Sequence, residues 1–248
     1  ILAPYGYAEQ DIPNMLQGPS RQYPLGTDHL GRDLLSRIIY GARIALVVAL
    51  PAVAIALVGG VLLGLTAGYV GGVVDDATVI FMDSMQAFPA VILALAILAL
   101  LGSSLLNVVL VIGLTWIPGY ARITRAQVLS AKQDQYVEVE RSLGASQKRI
   151  LGVHILPNIV APLLILAAMD LPVVITFEAG LSFLGLGVKP PTPSWGVILS
   201  DGFNFIRQSP WPILWSGLTL IIVTLGFTLF GETLRDVLDP RLSGTQGV

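Results

Sequence analysis

Apolar residues run through this chain in long blocks that no charge enters. Positions 44 to 74 hold no charged residue, and neither do positions 84 to 121. A helix needs about 20 mainly apolar residues to cross roughly 30 Å of hydrocarbon. The first block therefore predicts one span. The second is too long for one, and Leu101-Gly102-Ser103-Ser104 divides it into spans over 88–101 (extended upstream through Thr78) and 105–120. A fourth span is expected over 155–177, interrupted only by Asp170, and a fifth over 212–231. The ten-residue alternation of a membrane β-strand is absent. The expected fold class is all-α, a polytopic helical membrane protein with five spans in this chain. Pro51, Pro89, Pro118, Pro162 and Pro172 are expected to kink or start helices. Gly59, Gly60, Gly64 and Gly68 fall on nearby faces of the first span, which is either plain membrane-helix composition or a close contact face.

Positions 1–43 differ. They are polar and loop-like as far as Leu30; then Leu30, Leu34, Leu35, Ile38 and Ile39 recur at helical spacing, with Arg32, Asp33 and Arg37 between them. This pattern predicts an interfacial amphipathic helix leading into the first span. The expected organisation is an external loop with that helix (1–43), a transmembrane domain (44–231) and a cytoplasmic tail (232–248). Within the transmembrane domain, the 122–154 segment is expected inside and the 178–211 loop outside. Arg122, Arg125, Lys132, Arg141, Lys148 and Arg149 share 122–154, and Arg235 and Arg241 fall on the same side. Arg21, Arg32, Arg37, Arg43, Lys189 and Arg207 fall on the other, so the positive-inside rule favours a cytoplasmic 122–154. Five spans with an inner C-terminus put Ile1 outside, and the chain does not begin with Met. A further membrane helix upstream of Ile1 is expected, with a cleaved signal sequence as the alternative.

Composition narrows the chemistry. Hydrophobic residues are 54% and charged residues 12%, with mean hydropathy +0.77. Lys and Arg number 14 against 16 Asp and Glu, so nothing suggests a nucleic-acid partner. There is no cysteine, hence no thiolate nucleophile or thiolate metal site. His29 and His154 lie far apart in sequence, the four methionines are scattered, and no metal site of the chain's own is expected. Gly59-Gly60 and Gly71-Gly72 lack the ending of a phosphate loop, Gly185-Leu186-Gly187 is a lone GxG, and no GxSxG or SxxK occurs. No enzyme and no catalytic residue is predicted. Asp170 inside a span costs roughly 2.5–3.5 kcal/mol on the insertion scale. It is either a functional site or a bundle-facing, hydrogen-bonded acid. Asp83 is expected at the inner interface, and Glu178 is expected to close the fourth span at the outer boundary.

The segment 134–158 carries the sharpest signal. Asp134 is an expected N-cap for a short helix to Leu143, which Gly144 can end with a left-handed residue. Ser146 can cap a second short helix leading to Pro157. Val137, Leu143 and Ile150 are expected to be exposed beside Glu138, Glu140, Arg141 and Arg149, a mixture that reads as a protein docking site.

Tyr136-Val137-Glu138-Val139-Glu140-Arg141, Gly144-Ala145-Ser146 and His154-Ile155-Leu156-Pro157-Asn158 resemble the EAA loop of bacterial ABC importer permeases, with the same spacing from Glu138 to Gly144 to Leu156-Pro157. Val139 and Glu140 replace the two alanines, and His154 takes the isoleucine position, as is usual in the peptide and nickel branch. Further likeness lies in Leu25-Gly26-Thr27-Asp28-His29-Leu30-Gly31-Arg32-Asp33, in Ala67-Gly68-Tyr69-Val70-Gly71-Gly72, in Leu181-Ser182-Phe183-Leu184-Gly185-Leu186-Gly187 with Pro193-Ser194-Trp195-Gly196, and in Leu234-Arg235-Asp236-Val237-Leu238-Asp239-Pro240. Together these are similar to the C-type permease subunit of dipeptide, oligopeptide and nickel importers. The resemblance implies a type I importer permease (MetI-like) fold, six spans in the full product, and a place in the bacterial inner membrane. It implies a paralogous B-type permease, two cytoplasmic ATPases and an extracytoplasmic substrate-binding protein as partners, besides membrane lipid. This chain would hold no cofactor; ATP and Mg would sit on the ATPases. The docking residues it implies are Tyr136, Val137, Glu138, Glu140, Arg141, Gly144, Ala145, Ser146 and Arg149. Asp170 stays a candidate for the substrate path. Two other classes stay open from the residues alone. One is a stand-alone transporter with Asp170 as its ion site; the other is an intramembrane enzyme, for which no nucleophile–base pair is visible.

Overall fold

A computed structural model describes residues 3–238, with the side chain of Leu238 left out. Helices dominate it, and among the described residues there is no strand, only a bridge between Thr27 and Asp33. The helices are α1 (Leu34–Val70), α2 (Gly72–Gln86), α3 (Ala90–Leu101), α4 (Leu105–Ala131), α5 (Gln135–Ser142), α6 (Gln147–Arg149), α7 (Leu156–Phe183), α8 (Trp195–Asn204) and α9 (Trp211–Leu238). A π-helical turn, Ile150–Ile155, joins α6 to α7. Among the described residues, four helical stretches are long and apolar enough to cross a membrane, and a broken pair, α2 with α3, makes up to five. Contacts group the described parts of Ile1–Ala52, Val91–Ile112 and Leu171–Phe227 into one unit, and those of Val53–Ala90, Gly113–Asp170 and Thr228–Val248 into another.

In the first unit, buried charge organises the chain before α1. Asp33 N-caps α1, its carboxylate accepting from Ser36 N at 2.7 Å. Asp28, Arg32, Asp33 and Arg37 are all at most 4% exposed. The expected interfacial helix is thus corrected. Its charged residues point inward, and the helix that begins at Leu34 is already the membrane helix. Trp195, at the start of α8, lies on α1: its Nε1 donates to Ile38 O at 3.0 Å, and Gly41 leaves the room, since a Cβ there would sit 2.8 Å from the Trp195 ring. Glu178 does not face an outer boundary. It lies within α7, 2% exposed, and Ser182 Oγ donates to it at 2.6 Å. The 178–211 loop is also shorter than expected, because α7 runs to Phe183 and α8 occupies its middle.

In the second unit, the glycines of α1 are a contact face. A Cβ on Gly59 would stand 2.7 Å from Ile117, one on Gly64 2.5 Å from the Ala121 carbonyl, and one on Gly68 3.0 Å from the Arg125 carbonyl. Small residues every four or five positions let α1 press its backbone onto α4. Helix α4 continues to Ala131, so Arg122 and Arg125 belong to a helix and not to the polar loop. They pair with α2: Arg125 meets both oxygens of Asp75 at 2.5 and 2.6 Å, and Arg122 meets Asp83 at 2.7 Å. The stretch after Gly71 is correspondingly the start of α2. The predicted span that began near Thr78 breaks instead at Ala87–Pro89. Pro89 has no N–H, and its ring disfavours a helical Phe88. Pro51 and Pro118 lie inside unbroken helices. So do Pro162 and Pro172, in α7. The expected tail is helical to Leu238; Asp239, Pro240 and Arg241 lie outside the described residues.

Candidate functional site

The polar segment folds into a corner. Asp134 stands at the N-cap of α5 with extended backbone, but its side chain makes no cap hydrogen bond. The helix ends in a Schellman turn: Gly144 N donates to Arg141 O and Ala145 N to Glu140 O, both at 3.0 Å. That turn needs a left-handed residue, and Gly144 has φ +80°. Ser146 then caps α6, its Oγ accepting from Arg149 N at 3.4 Å. The second helix is not short. From Gln147 it runs through the π-helical turn into α7 as one stretch to Phe183. The corner is therefore rooted in a membrane helix.

Which face of the corner is free differs from expectation. Val137 is 0% exposed and Ile150 1%; they pack with Tyr69, Val128, Ala131, Ile155, Ile159 and Leu163. They anchor the corner and offer no docking surface. Leu143 is exposed as expected, and Val139 and Val153 join it at 55% and 59%. Helical spacing accounts for Val139: it lies two residues, about 200°, from Val137 and four residues, one turn, from Leu143. Tyr136, Glu140 and Ala145 are half-buried, while Glu138, Arg141, Gly144, Ser146 and Arg149 are exposed. Glu140 turns back towards the π-helical turn, with Oε2 3.5 Å from His154 Nε2. The two positions that depart from the EAA pattern with polar side chains thus face each other. Asn158 Nδ2 donates to His154 O at 2.8 Å and lies 3.4 Å from the Tyr136 hydroxyl. Asp134, Tyr136 and Asn158 share the lining of a cavity of about 1060 Å³ with Gln127, Ser130 and Arg235.

Lys132 and Tyr69 were not among the expected site residues. Lys132 Nζ donates to Tyr69 O at 2.7 Å, and Arg141 stands over the same ring. Their sequence signals were Tyr69 at the end of an apolar block, within the Ala67–Gly72 likeness, and Lys132 among the bases of 122–154. Asp170 is not part of the corner; it is half-buried in α7 beside the Tyr120 side chain.

A second group of polar residues gathers in the first unit. Asp28, His29 and Asp201 bring ligand-type atoms within 4.8 Å of one another, which the spacing of the two histidines did not suggest. A cation does not fit there. Arg32 already bridges the carboxylates, with Nε 2.6 Å from Asp28 Oδ2 and an Nη 3.2 Å from Asp201 Oδ2. Arg37 adds a second guanidinium 3.4 Å from Asp28. The arrangement is an ion-pair network whose positive charge is built in. Nearby, Tyr23 donates to Asp11 at 2.6 Å. That bond holds the Asp11 carboxyl below its ordinary range and pushes the Tyr23 phenol up to about 12.

A family model described as "Binding-protein-dependent transport system inner membrane component" matches residues 60–244. The dipeptide transport system permease protein DppC of Alkalihalophilus pseudofirmus is 42% identical over 98% of this chain and 80% of its own length. The nickel transport system permease protein NikC of Escherichia coli K12 is 39% identical over 96% of this chain and 86% of its own. Among solved structures, an inward-facing MetNI methionine ABC transporter matches with a TM-score of 0.62 at 17% identity, covering 83% of this chain and 96% of that one.

Proposed function

This chain belongs to the family of binding-protein-dependent transport system inner membrane components, and on that premise we propose that it carries peptides or similar small solutes with a paralogous permease chain. It is a multi-pass inner-membrane permease subunit of an ABC importer and a non-catalytic component. Two cytoplasmic ATPases, holding ATP and Mg, dock on the corner from Tyr136 to Arg149, and an extracytoplasmic binding protein delivers the solute. ATP-driven closure of the ATPases pushes the corner, and the helices behind it switch the path between inward- and outward-facing states. Asp170 borders that path. The observation that carries the reading is the corner itself, anchored by buried Val137 and Ile150 while Val139, Leu143, Glu138 and Arg149 stay free. Exposed apolar and charged residues on a rigid turn suit a protein partner.

Peptides are favoured over nickel because two relatives named for di- or tripeptide transport are 42% identical to this chain, against 39% for the nickel permease. Both points are tested with the assembled importer in vesicles. A dipeptide with the binding protein is expected to stimulate ATP hydrolysis, whereas stimulation by Ni²⁺ and not by peptides would overturn the substrate class. Gly144→Val forces a β-branched residue into left-handed backbone, at a cost of about 1–2 kcal/mol. A Cβ there meets nothing within 4 Å, so the damage is to the turn and not to packing. The variant should insert and pair normally but lose about fivefold or more of its ATPase association. Normal ATPase binding by a well-expressed Gly144→Val protein would remove the docking role.

A further inference from the structure

The last turn of α1 ends against the corner. Tyr69 is 6% exposed and stands one residue before the helix stops at Val70. Its carbonyl is among the last of a helix, which lack partners within it. Lys132, just past α4, donates its Nζ to that carbonyl at 2.7 Å. The same ammonium lies 5.5 Å from the centre of the Tyr69 ring, and the Arg141 guanidinium of α5 lies 5.9 Å from it. Both distances suit cation–π attraction. The ring also packs in the cluster that holds Val137 and Ile150. Tyr69 therefore meets α5 and the end of α4, and shares a packed cluster with Ile150 of the other arm.

Directly beyond Val70 the backbone passes through Gly71 and Gly72, with φ +73° and +56°. A Cβ at either would meet nothing within 4 Å. Helix α2 follows, tied to α4 by the two-point Asp75–Arg125 pair. A tightly packed aromatic node thus sits next to an unpacked pair of glycines. Packed clusters shift as units.

We infer that Tyr69 joins the corner to the end of α1, so that the two move as one body. The inference rests on the docking reading above and adds the route by which a push on the corner reaches the first membrane helix. Tyr69 is a positioning residue: it acts through the helix it holds.

The test uses the full importer with cysteine-free partner subunits, since this chain has no cysteine of its own. Spin labels at Gly152→Cys, in the π-helical turn outside the docking range and with nothing within 4 Å of a Cβ, and at Val70→Cys report the distance from corner to helix end. That distance should stay narrow and unchanged when ATP binds. Tyr69→Leu and Lys132→Met should each broaden it and lower solute transported per ATP about fivefold or more. Tyr69→Phe keeps the ring and should behave as the parent. ATPase association should be unchanged in all three, which separates this inference from the docking reading. A 152–70 distance that shifts with ATP in the parent chain would overturn the inference. So would full coupling in Lys132→Met, the variant that leaves the core intact should Tyr69→Leu fail to fold. Loss of the ATPases themselves in Lys132→Met would overturn it too, because the side chain would then serve docking.

Discussion

Asp28 is 2% exposed, and its surroundings explain how a carboxylate survives there. Leu30 N and Arg32 N donate to one oxygen at 2.9 and 3.0 Å, while Arg32 Nε and Arg37 Nε face the other. Breaking such a pair from one side strands buried guanidinium charge, at a cost of about 3–5 kcal/mol. Asp28→Asn should therefore lower the thermal midpoint of the purified protein strongly. Asp83→Asn makes the contrasting case, because its pair with Arg122 is more than half exposed on both sides. Exposed pairs contribute about 0–1 kcal/mol, so that midpoint should barely move. Equal effects in a differential scanning measurement would show that the 28–32–37–201 network is not a structural lock.

At the scale of helices, close approach and interruption are set by small sets of residues. The Gly60–Gly64 stretch lets α1 lie on α4, and a Cβ at Gly64 would stand 2.6 Å from Thr124 Cβ and 2.5 Å from a backbone carbonyl. Neither neighbour is the free end of a flexible side chain. Overpacking of this kind costs about 1–3 kcal/mol, and Gly64→Val should fall at the upper end. Gly119→Ala on α4, where a Cβ meets nothing, should be close to neutral. Thermal midpoints of the two variants in detergent check the difference, and similar midpoints would mean that the α1–α4 contact is not tight. The break between α2 and α3 has a different cause: a missing N–H at Pro89, which acts whether or not a partner helix is near.

For the molecule as a whole, the expected sidedness follows from where positive charge lies along the chain. Gln133, beside the corner, should be inside, and Thr192, between α7 and α8, outside. Both positions are exposed or half-buried, and a cysteine at either would be the only one in the chain. An impermeant thiol reagent added to intact cells should label Thr192→Cys and leave Gln133→Cys unlabelled. The reverse pattern would invert the topology and place the corner away from any cytoplasmic ATPase.

Patterning along the chain was enough for the helical class, the apolar stretches and the corner, because each rests on local rules. A carbon-rich run of membrane length must be a helix to satisfy its own backbone. A capping serine and a left-handed glycine act over four or five residues, which is why Gly144 and Ser146 were legible. The positions of Val137 and Ile150 were not, since hydrophobicity alone does not say which apolar residue of a short helix meets a neighbour. That depended on Tyr69 and Val128 arriving from other helices. The buried ion pairs failed for the same reason. Arg32 and Arg37 look like the wet face of an amphipathic helix until Asp28, a few residues before them, and Asp201, far along the chain, together supply the charge that lets them turn inward. Short-range chemistry is written in neighbouring residues, whereas burial and charge pairing depend on contacts between distant ones, and those exist only once the chain has folded.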